Sequence, residues 1–424
     1  MDKQNLCYAT YVEILKRELV PAMGCTEPIA IAYCSAKARA MLGSLPDKVK
    51  IEVSGNIIKN VKSVIVPNSG GRKGVGAAAA LGILAGKEEL ELEVVSQVTK
   101  EQKESLGAYL EKTEITVSPL ETDYLLDMIV TVSGGGSEAC VRIAEEHTNI
   151  VEIRKDGKIL FEKEVIVEES DDLPDYSLLT VDGIYDFAMT ADLKDVKETL
   201  DRQIEYNTAI ADEGMRGDYG ANIGRILLKE YGDGIENRAK AMAAAGSDAR
   251  MNGCELPVII NSGSGNQGMT ASLPVIEYAK ELGSSREQLY RALLLSNLIT
   301  LHQKTGIGRL SAYCGAVSAG AGAATGIAYL YGGDRDAIAH TLVNALAVTS
   351  GIVCDGAKAS CAAKIAVAVD TGILGYKMFI NDRQFYGGDG LVATGVENTI
   401  KNIGRLGKEG MKETDKEIIR IMTE

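Results

Sequence analysis

The chain has no excess of basic charge: 45 Lys and Arg stand against 59 Asp and Glu, a net charge of −14. Nucleic-acid binding needs a basic face to neutralise phosphates, so that class of partner is excluded, and an anionic membrane surface is disfavoured for the same reason. No basic stretch leading into an apolar run and a small-residue cleavage site opens the sequence, so no secretory leader is expected. The eight cysteines form neither the close Cys-x-x-Cys pair of a zinc knuckle nor the tandem run of a ferredoxin. Scattered over so long a chain, they do not make the dense framework of a small secreted domain either. A reducing cytoplasm is the expected setting. There is no repeat of fixed period. Leu310 to Gly333 carries no charge and is long enough to span a bilayer. It is built of Gly, Ala, Ser, Tyr and Cys, however, with few large apolar residues, which predicts a buried helix and no membrane span.

What the chain does have is a change of periodicity along its length. Asn5 to Val20 and Pro28 to Leu42 have helical spacing, and Lys48 to Val66 alternates as two short strands around a turn near Gly55 and Asn56. Val98 to Lys112 predicts a helix. Strands are expected at Met128 to Ser133, Ala139 to Glu145, Ile150 to Arg154 and Ile159 to Glu164, with Asp156-Gly157 as a two-residue hairpin turn. From Asp182 onward the spacing is helical, broken by glycine-rich corners. The expectation is an α+β fold: a large, mostly α-helical domain from residues 1–88 and 180–424, with a smaller α+β domain of helix and antiparallel strands inserted at 89–179.

The chemistry is carried by cysteines among small residues. Cys314 lies in Ala-Tyr-Cys-Gly-Ala, and Cys354 and Cys361 bracket Asp-Gly-Ala-Lys-Ala-Ser. Glycines clear space for a ligand and thiolates bind soft metals and iron–sulfur clusters, whereas inert buried cysteines are the bland alternative. Seven residues separate Cys354 from Cys361, which in one helix would set them about 10 Å apart along the axis. Asp355 as an N-cap would start the helix at Gly356 and free Cys354 to curl towards Cys361. Three thiolates on a cubane would leave one iron open as a Lewis acid. Cys25, in Met-Gly-Cys-Thr-Glu-Pro, stands where a helix begins; the positive end of that helix would favour its thiolate and make it a base, a nucleophile or a ligand.

Two loops suit a small polar substrate. Pro67-Asn-Ser-Gly-Gly-Arg-Lys-Gly74 offers Asn68, Ser69, Arg72 and Lys73 to a carboxylate, with Arg72 as the bidentate fork. Asn261-Ser-Gly-Ser-Gly-Asn-Gln-Gly268 offers Asn261, Ser262, Ser264 and Asn266, and it lacks the Lys-Ser/Thr ending of a phosphate loop. Lys304, Arg309, Lys358 and Lys364 add positive charge near the cysteines in sequence.

Pro21-Ala-Met-Gly-Cys-Thr-Glu-Pro28, Pro67-Asn-Ser-Gly-Gly-Arg72, the 261–268 loop and Cys354-Asp-Gly-Ala-Lys358-x-x-Cys361 together resemble the L-cysteine desulfidase family over nearly the whole chain. The second half is similar, more distantly, to the alpha chain of the iron–sulfur L-serine dehydratases. The resemblance implies a [4Fe-4S] cluster held by Cys314, Cys354 and Cys361, with Cys25 as proton acceptor or further ligand and Lys358 among the substrate-binding residues. It implies β-elimination of L-cysteine to pyruvate, ammonia and sulfide. L-Serine dehydration by the same chemistry and a non-catalytic metal-binding protein are the alternatives. The expected partners are a small amino-acid substrate and, for assembly, a second copy of the chain.

Overall fold

The computed structural model describes residue 1, residues 3–165 and residues 174–423; the stretch 166–173 of the expected insert lies outside the described residues. The fold is α+β and mostly helical. Its strands are β1 (Pro21–Met23), β2 (Lys48–Val53), β3 (Glu114–Pro119), β4 (Asp127–Gly134), β5 (Ser137–Ala144), β6 (Ile150–Lys155), β7 (Lys158–Glu162) and β8 (Pro257–Ile259). Six of them form one sheet in the order β3-β2-β4-β5-β6-β7, in which β2 and β3 run parallel and the other neighbours antiparallel. Ile51 faces Val130 and Val130 faces Val141 across the ladders. Alternation therefore gathers the apolar side chains on one face, which the helix Thr26–Leu42 covers. Asp156 and Gly157 both have positive φ, 49° and 75°, as the hairpin between β6 and β7 requires.

Two local expectations are corrected. The segment after β2 is a helix, Gly55–Val61, not a second strand. Alternation ends at Ser54, whose hydroxyl donates to the Leu125 carbonyl, and the buried pair Ile57 and Val61 is spaced four apart, which puts both on one helical face. Strand β3 was not expected. It lies at the sheet edge with most of its side chains exposed, so burial leaves little imprint on its sequence.

The apolar interior falls into two main clusters. One joins residues of 23–153, including the helices Thr26–Leu42 and Val75–Ala85 and the sheet. The other joins residues of 8–22 to residues of 179–411. Its centre is the uncharged helix Gly315–Leu330, which is buried as expected and packs on the helices Gly265–Glu281, Arg286–Ile307, Arg335–Thr349 and Cys361–Ile380. The small residues are needed there: a Cβ on Gly320 would lie 2.5 Å from the Ala368 carbonyl oxygen, and one on Gly326 would lie 2.7 Å from that of Ala292. No helix among the described residues is long and apolar enough to cross a membrane.

The two clusters are stitched together by a short antiparallel ladder. Pro21, Ala22 and Met23 of β1 pair with Ile259, Val258 and Pro257 of β8. The ladder ends with Ile260 N–H on the Val20 carbonyl, and the 261–266 loop then turns back onto the cysteine turn, where Thr26 Oγ1 lies 2.9 Å from the Gly263 carbonyl oxygen.

Candidate active site

Cys25 occupies the N-cap of the helix Thr26–Leu42. Gly24 turns the chain into it with φ 64°, and a Cβ there would fall 2.3 Å from Pro67 Cγ. Pro67 thus buttresses the cysteine turn from behind. Cys314 caps the helix Gly315–Leu330, and Cys361 is the first residue of the helix Cys361–Ile380. Cys354 lies in a loop, joined to the Cys314 segment by two backbone bonds, Cys314 N–H to Ile352 O (3.1 Å) and Cys354 N–H to Ala312 O (2.6 Å). The helix does not start at Gly356 as expected. Gly356 has φ 90°, and Asp355 caps nothing because it ion-pairs with Lys358 and Lys364.

All four cysteines line one cavity of about 110 Å³, and none is in a disulfide. Its cationic lining residues are Lys59, Arg250, Lys304, Arg309 and Lys364, against the single carboxylate of Glu27. In a chain of net charge −14, this concentration of positive charge marks the cavity as a place for anionic groups. Three cations are already engaged: Lys59 with Asp415, Arg309 with Glu18, and Lys364 with Asp355. Among the described residues Arg250 and Lys304 have no ion-pair partner. Burial lowers Lys304 to about 8, with Cys354 and Cys314 opposing the shift.

The far end of the chain holds one lining residue, Lys59, from behind. Asp415 lies on the helix Lys412–Thr423, and the neighbouring Lys62 donates to the Met422 carbonyl of that helix. A Cβ on Gly356 would lie 2.2 Å from the Lys59 carbonyl oxygen, so glycine alone lets the Cys354 loop rest on the helix that carries Lys59.

Burial disfavours the thiolates of Cys25, Cys314 and Cys361. Burial, then the neighbouring Glu27 carboxylate, pushes Cys25 well up, which reverses the expectation of a thiolate. Its helix position is as expected, but desolvation outweighs the helix end. The Cys25 thiol donates to Glu27 Oε2 at 3.0 Å, and Thr26 Oγ1 donates to the same oxygen at 3.1 Å. Asn60 Nδ2 donates to Oε1 at 2.9 Å. Burial alone would raise the Glu27 carboxyl, but His147, the Cys25 bond and Arg250 hold it below its usual range. Burial, then Cys354, takes Cys314 to about 12, and burial raises Cys361. Among the described residues no three Cys, His, Asp or Glu side chains close around a single ion.

Of the expected substrate-binding residues, Ser264 and Asn266 line this cavity; Asn68, Ser69, Arg72, Lys73, Asn261, Ser262 and Lys358 do not. Each displacement has a physical reason. Asn68 donates to the Val95 carbonyl, and the Arg72 guanidinium folds back to the Ser69 carbonyl at 2.8 Å while Ser69 Oγ accepts from the Arg72 amide. Lys73 is exposed. Asn261 is buried and donates to Asn297, and Ser262 is buried in a left-handed turn with φ 49°. Lys358 is held by Asp355 and the Gly356 carbonyl. Glu27, Asn60, Arg250, Gln267 and Tyr313 were not anticipated. Glu27, Gln267 and Tyr313 sit inside the quoted motifs and were within reach; Asn60 and Arg250 carry no local signal.

Three buried side chains of the lining leave polar atoms without a partner: Arg250 Nε and Nη2, Gln267 Oε1 and Tyr313 Oη. Buried polar atoms are rarely left unpaired, and their grouping on one cavity beside four thiols is the signature of a ligand site.

The sequence profile of the serine dehydratase alpha chain matches residues 89–420. A UPF0597 protein of Desulfitobacterium hafniense is 62% identical over 422 residues, covering 100% of this chain and 98% of that one. A UPF0597 protein of Lachnoclostridium phytofermentans is 54% identical over 416 residues, covering 98% and 99%, and one of Bacteroides thetaiotaomicron is 39% identical over 420 residues, covering 97% of each. The profile spans the sheet strands β3 to β7 as well as the helices that bring Cys314, Cys354 and Cys361 to the cavity, and on that match the chain belongs to the serine dehydratase alpha chain family.

Proposed function

We propose that the protein is a [4Fe-4S]-dependent lyase that eliminates the β-substituent of a small amino acid, L-cysteine by preference and L-serine second, yielding pyruvate, ammonia and, from cysteine, sulfide. The observation that carries this reading is the meeting of Cys314, Cys354 and Cys361, from a helix cap, a loop and a helix start, on one electropositive cavity. Membership of the serine dehydratase alpha chain family supports the reaction class. The resemblance of the cysteine motifs to those of the desulfidases supports the substrate. The donor set fits the group. Thiols raised by burial become ligands when bound iron offsets their charge, and the lack of a single-ion geometry suits a cluster that spreads its thiolates over several irons.

When bound, the cluster supplies an open iron that acts as a Lewis acid towards the β-heteroatom of the substrate. The chain's own side chains handle the protons. Glu27, held below its usual range and anchored by Asn60 and Thr26, is a fixed acceptor that orients the Cys25 sulfur through the 3.0 Å bond. Cys25, once its proton has passed to solvent, accepts the substrate α-proton. The aminoacrylate released is hydrolysed to pyruvate and ammonia.

Anaerobic purification tests the proposal. Iron and acid-labile sulfide, with sulfide release from L-cysteine exceeding pyruvate formation from L-serine, are the expected results. Iron without turnover of either amino acid would leave a metal-binding protein, and the absence of iron would remove the cluster.

A further inference from the structure

We infer that Arg250 and the amino end of the helix Gly265–Glu281 form the carboxylate-binding site for the α-amino-acid substrate, with Gln267 accepting from its ammonium group. The substrate class rests on the lyase reading; the anion site does not.

Arg250 is 2% exposed and stands first among the largest fully buried side chains of the protein. It has no carboxylate partner among the described residues. Nη1 is anchored on Asn266 Oδ1 at 3.2 Å, while Nε and Nη2 are buried and unpaired. A buried guanidinium with no ion pair and two nitrogens unpaired is costly enough that it calls for an anion. Glu27, the carboxylate of the lining, is not available to it, because both Glu27 oxygens are engaged by Cys25, Thr26 and Asn60.

The helix supplies the second half of the site. It runs for 17 residues, and its N-cap Ser264 makes no side-chain capping bond. The first-turn amides of an α-helix have no intrahelical acceptor and stand at its positive end. Arg250 packs directly on that end: a Cβ on Gly265 would lie 2.5 Å from Arg250 Nε. The fork and the amides therefore address the same point, and a carboxylate satisfies both.

Gln267 sets the orientation. Its Oε1 is buried and unpaired, and its amide lies against Gly315, where a Cβ would be 2.5 Å from Gln267 Cδ. Gly315 follows Cys314. An amino acid gripped at its carboxylate by Arg250 and at its ammonium by Gln267 directs its β-carbon towards the cysteines, with Cys25 in the same cavity to meet the α-proton.

Calorimetric titration of the full chain with L-alanine, which has both charged groups and no leaving group, tests this. Wild type is expected to bind, and Arg250→Gln to bind about 10- to 100-fold more weakly, the loss typical of a charge-assisted hydrogen-bonded pair. Arg250→Lys keeps the charge and removes the fork, so it serves if the glutamine variant does not fold; it should fall between the two. Gly265→Ala should also weaken binding, by pushing the guanidinium aside. L-Alanine affinity in folded Arg250→Lys and Gly265→Ala proteins equal to that of wild type would overturn the assignment, as would failure of wild type to bind L-alanine. Arg250-dependent binding in a protein that releases no sulfide from L-cysteine would sustain the anion site and defeat the lyase reading.

Discussion

Two cavities meet at Arg309, and they differ in how far their polar groups are satisfied. The larger, about 380 Å³, is lined by Arg17, Glu18, Glu146 and His147 among others. Its charges are matched: Arg17 Nη2 reaches Glu146 at 2.9 and 3.1 Å, Arg309 reaches Glu18 at 2.8 Å, and Tyr176 donates to Glu18, while His147 Nε2 alone is buried without a partner among its described lining residues. The smaller, about 110 Å³, keeps Arg250, Gln267 and Tyr313 unsatisfied beside four thiols. Volume and unmet polar groups point to different cavities. Where charges pair with one another a cavity is braced from within, whereas several unpaired groups converging on one space call for a partner from outside.

The largest expected effect separates the two outright. Cys361→Ser should strip most of the iron from anaerobically prepared protein and abolish sulfide release; full iron occupancy would take Cys361 out of the ligand set. Next comes Cys25→Ala. It should retain iron while exchange of the substrate α-hydrogen with deuterated water falls by about 100-fold or more, the scale of a lost general base. Iron falling together with exchange would make Cys25 a ligand.

The third prediction asks what an unpaired buried atom costs where no ligand is expected. Asp248 Oδ1 is buried without a partner, outside the cavity lining, and burial raises this carboxyl to about 6. A carboxyl raised on folding costs nothing below its unfolded value and destabilises as pH rises through about 6. Asp248→Asn, still able to accept from the Gly224 amide as Oδ2 does at 3.1 Å, should therefore add about 1–3 kcal/mol at pH 8 and nothing at pH 4. Thermal melts at the two pH values read this directly, and equal gains at both would refute it. The smallest effect belongs to the satisfied cavity. Arg17→Gln removes a partly exposed pair and should cost about 1 kcal/mol or less, with KM for the amino acid unchanged; a raised KM would mean that the larger cavity also serves substrate.

Much of this arrangement was legible in the chain. The Asp156-Gly157 hairpin, the small-residue helix Gly315–Leu330 and the shared setting of Cys314, Cys354 and Cys361 follow from turn chemistry, periodicity and neighbouring glycines. The short helix Gly55–Val61 was hidden because its two apolar contacts are too few to set a period against the strand before it. The two polar loops looked alike as sequences. The 261–268 loop reaches the cavity because it folds back onto Thr26, and Arg72 does not because its guanidinium is engaged by its own loop. Neither fact is local. Arg250 is the clearest case: in the last turn of the helix Ile235–Met251, an arginine is ordinarily a solvated complement to the helix end, and only tertiary packing makes it a buried, unmatched charge.

The bridge between Lys59 and Asp415 sets an order on biosynthesis. An ammonium of the first helices stays without its carboxylate until the ribosome has delivered residues more than 350 positions later, and a buried charge deprived of its partner costs about 3–5 kcal/mol. The contact between Lys59 and Asp415 therefore closes only after every cysteine of the cavity has emerged.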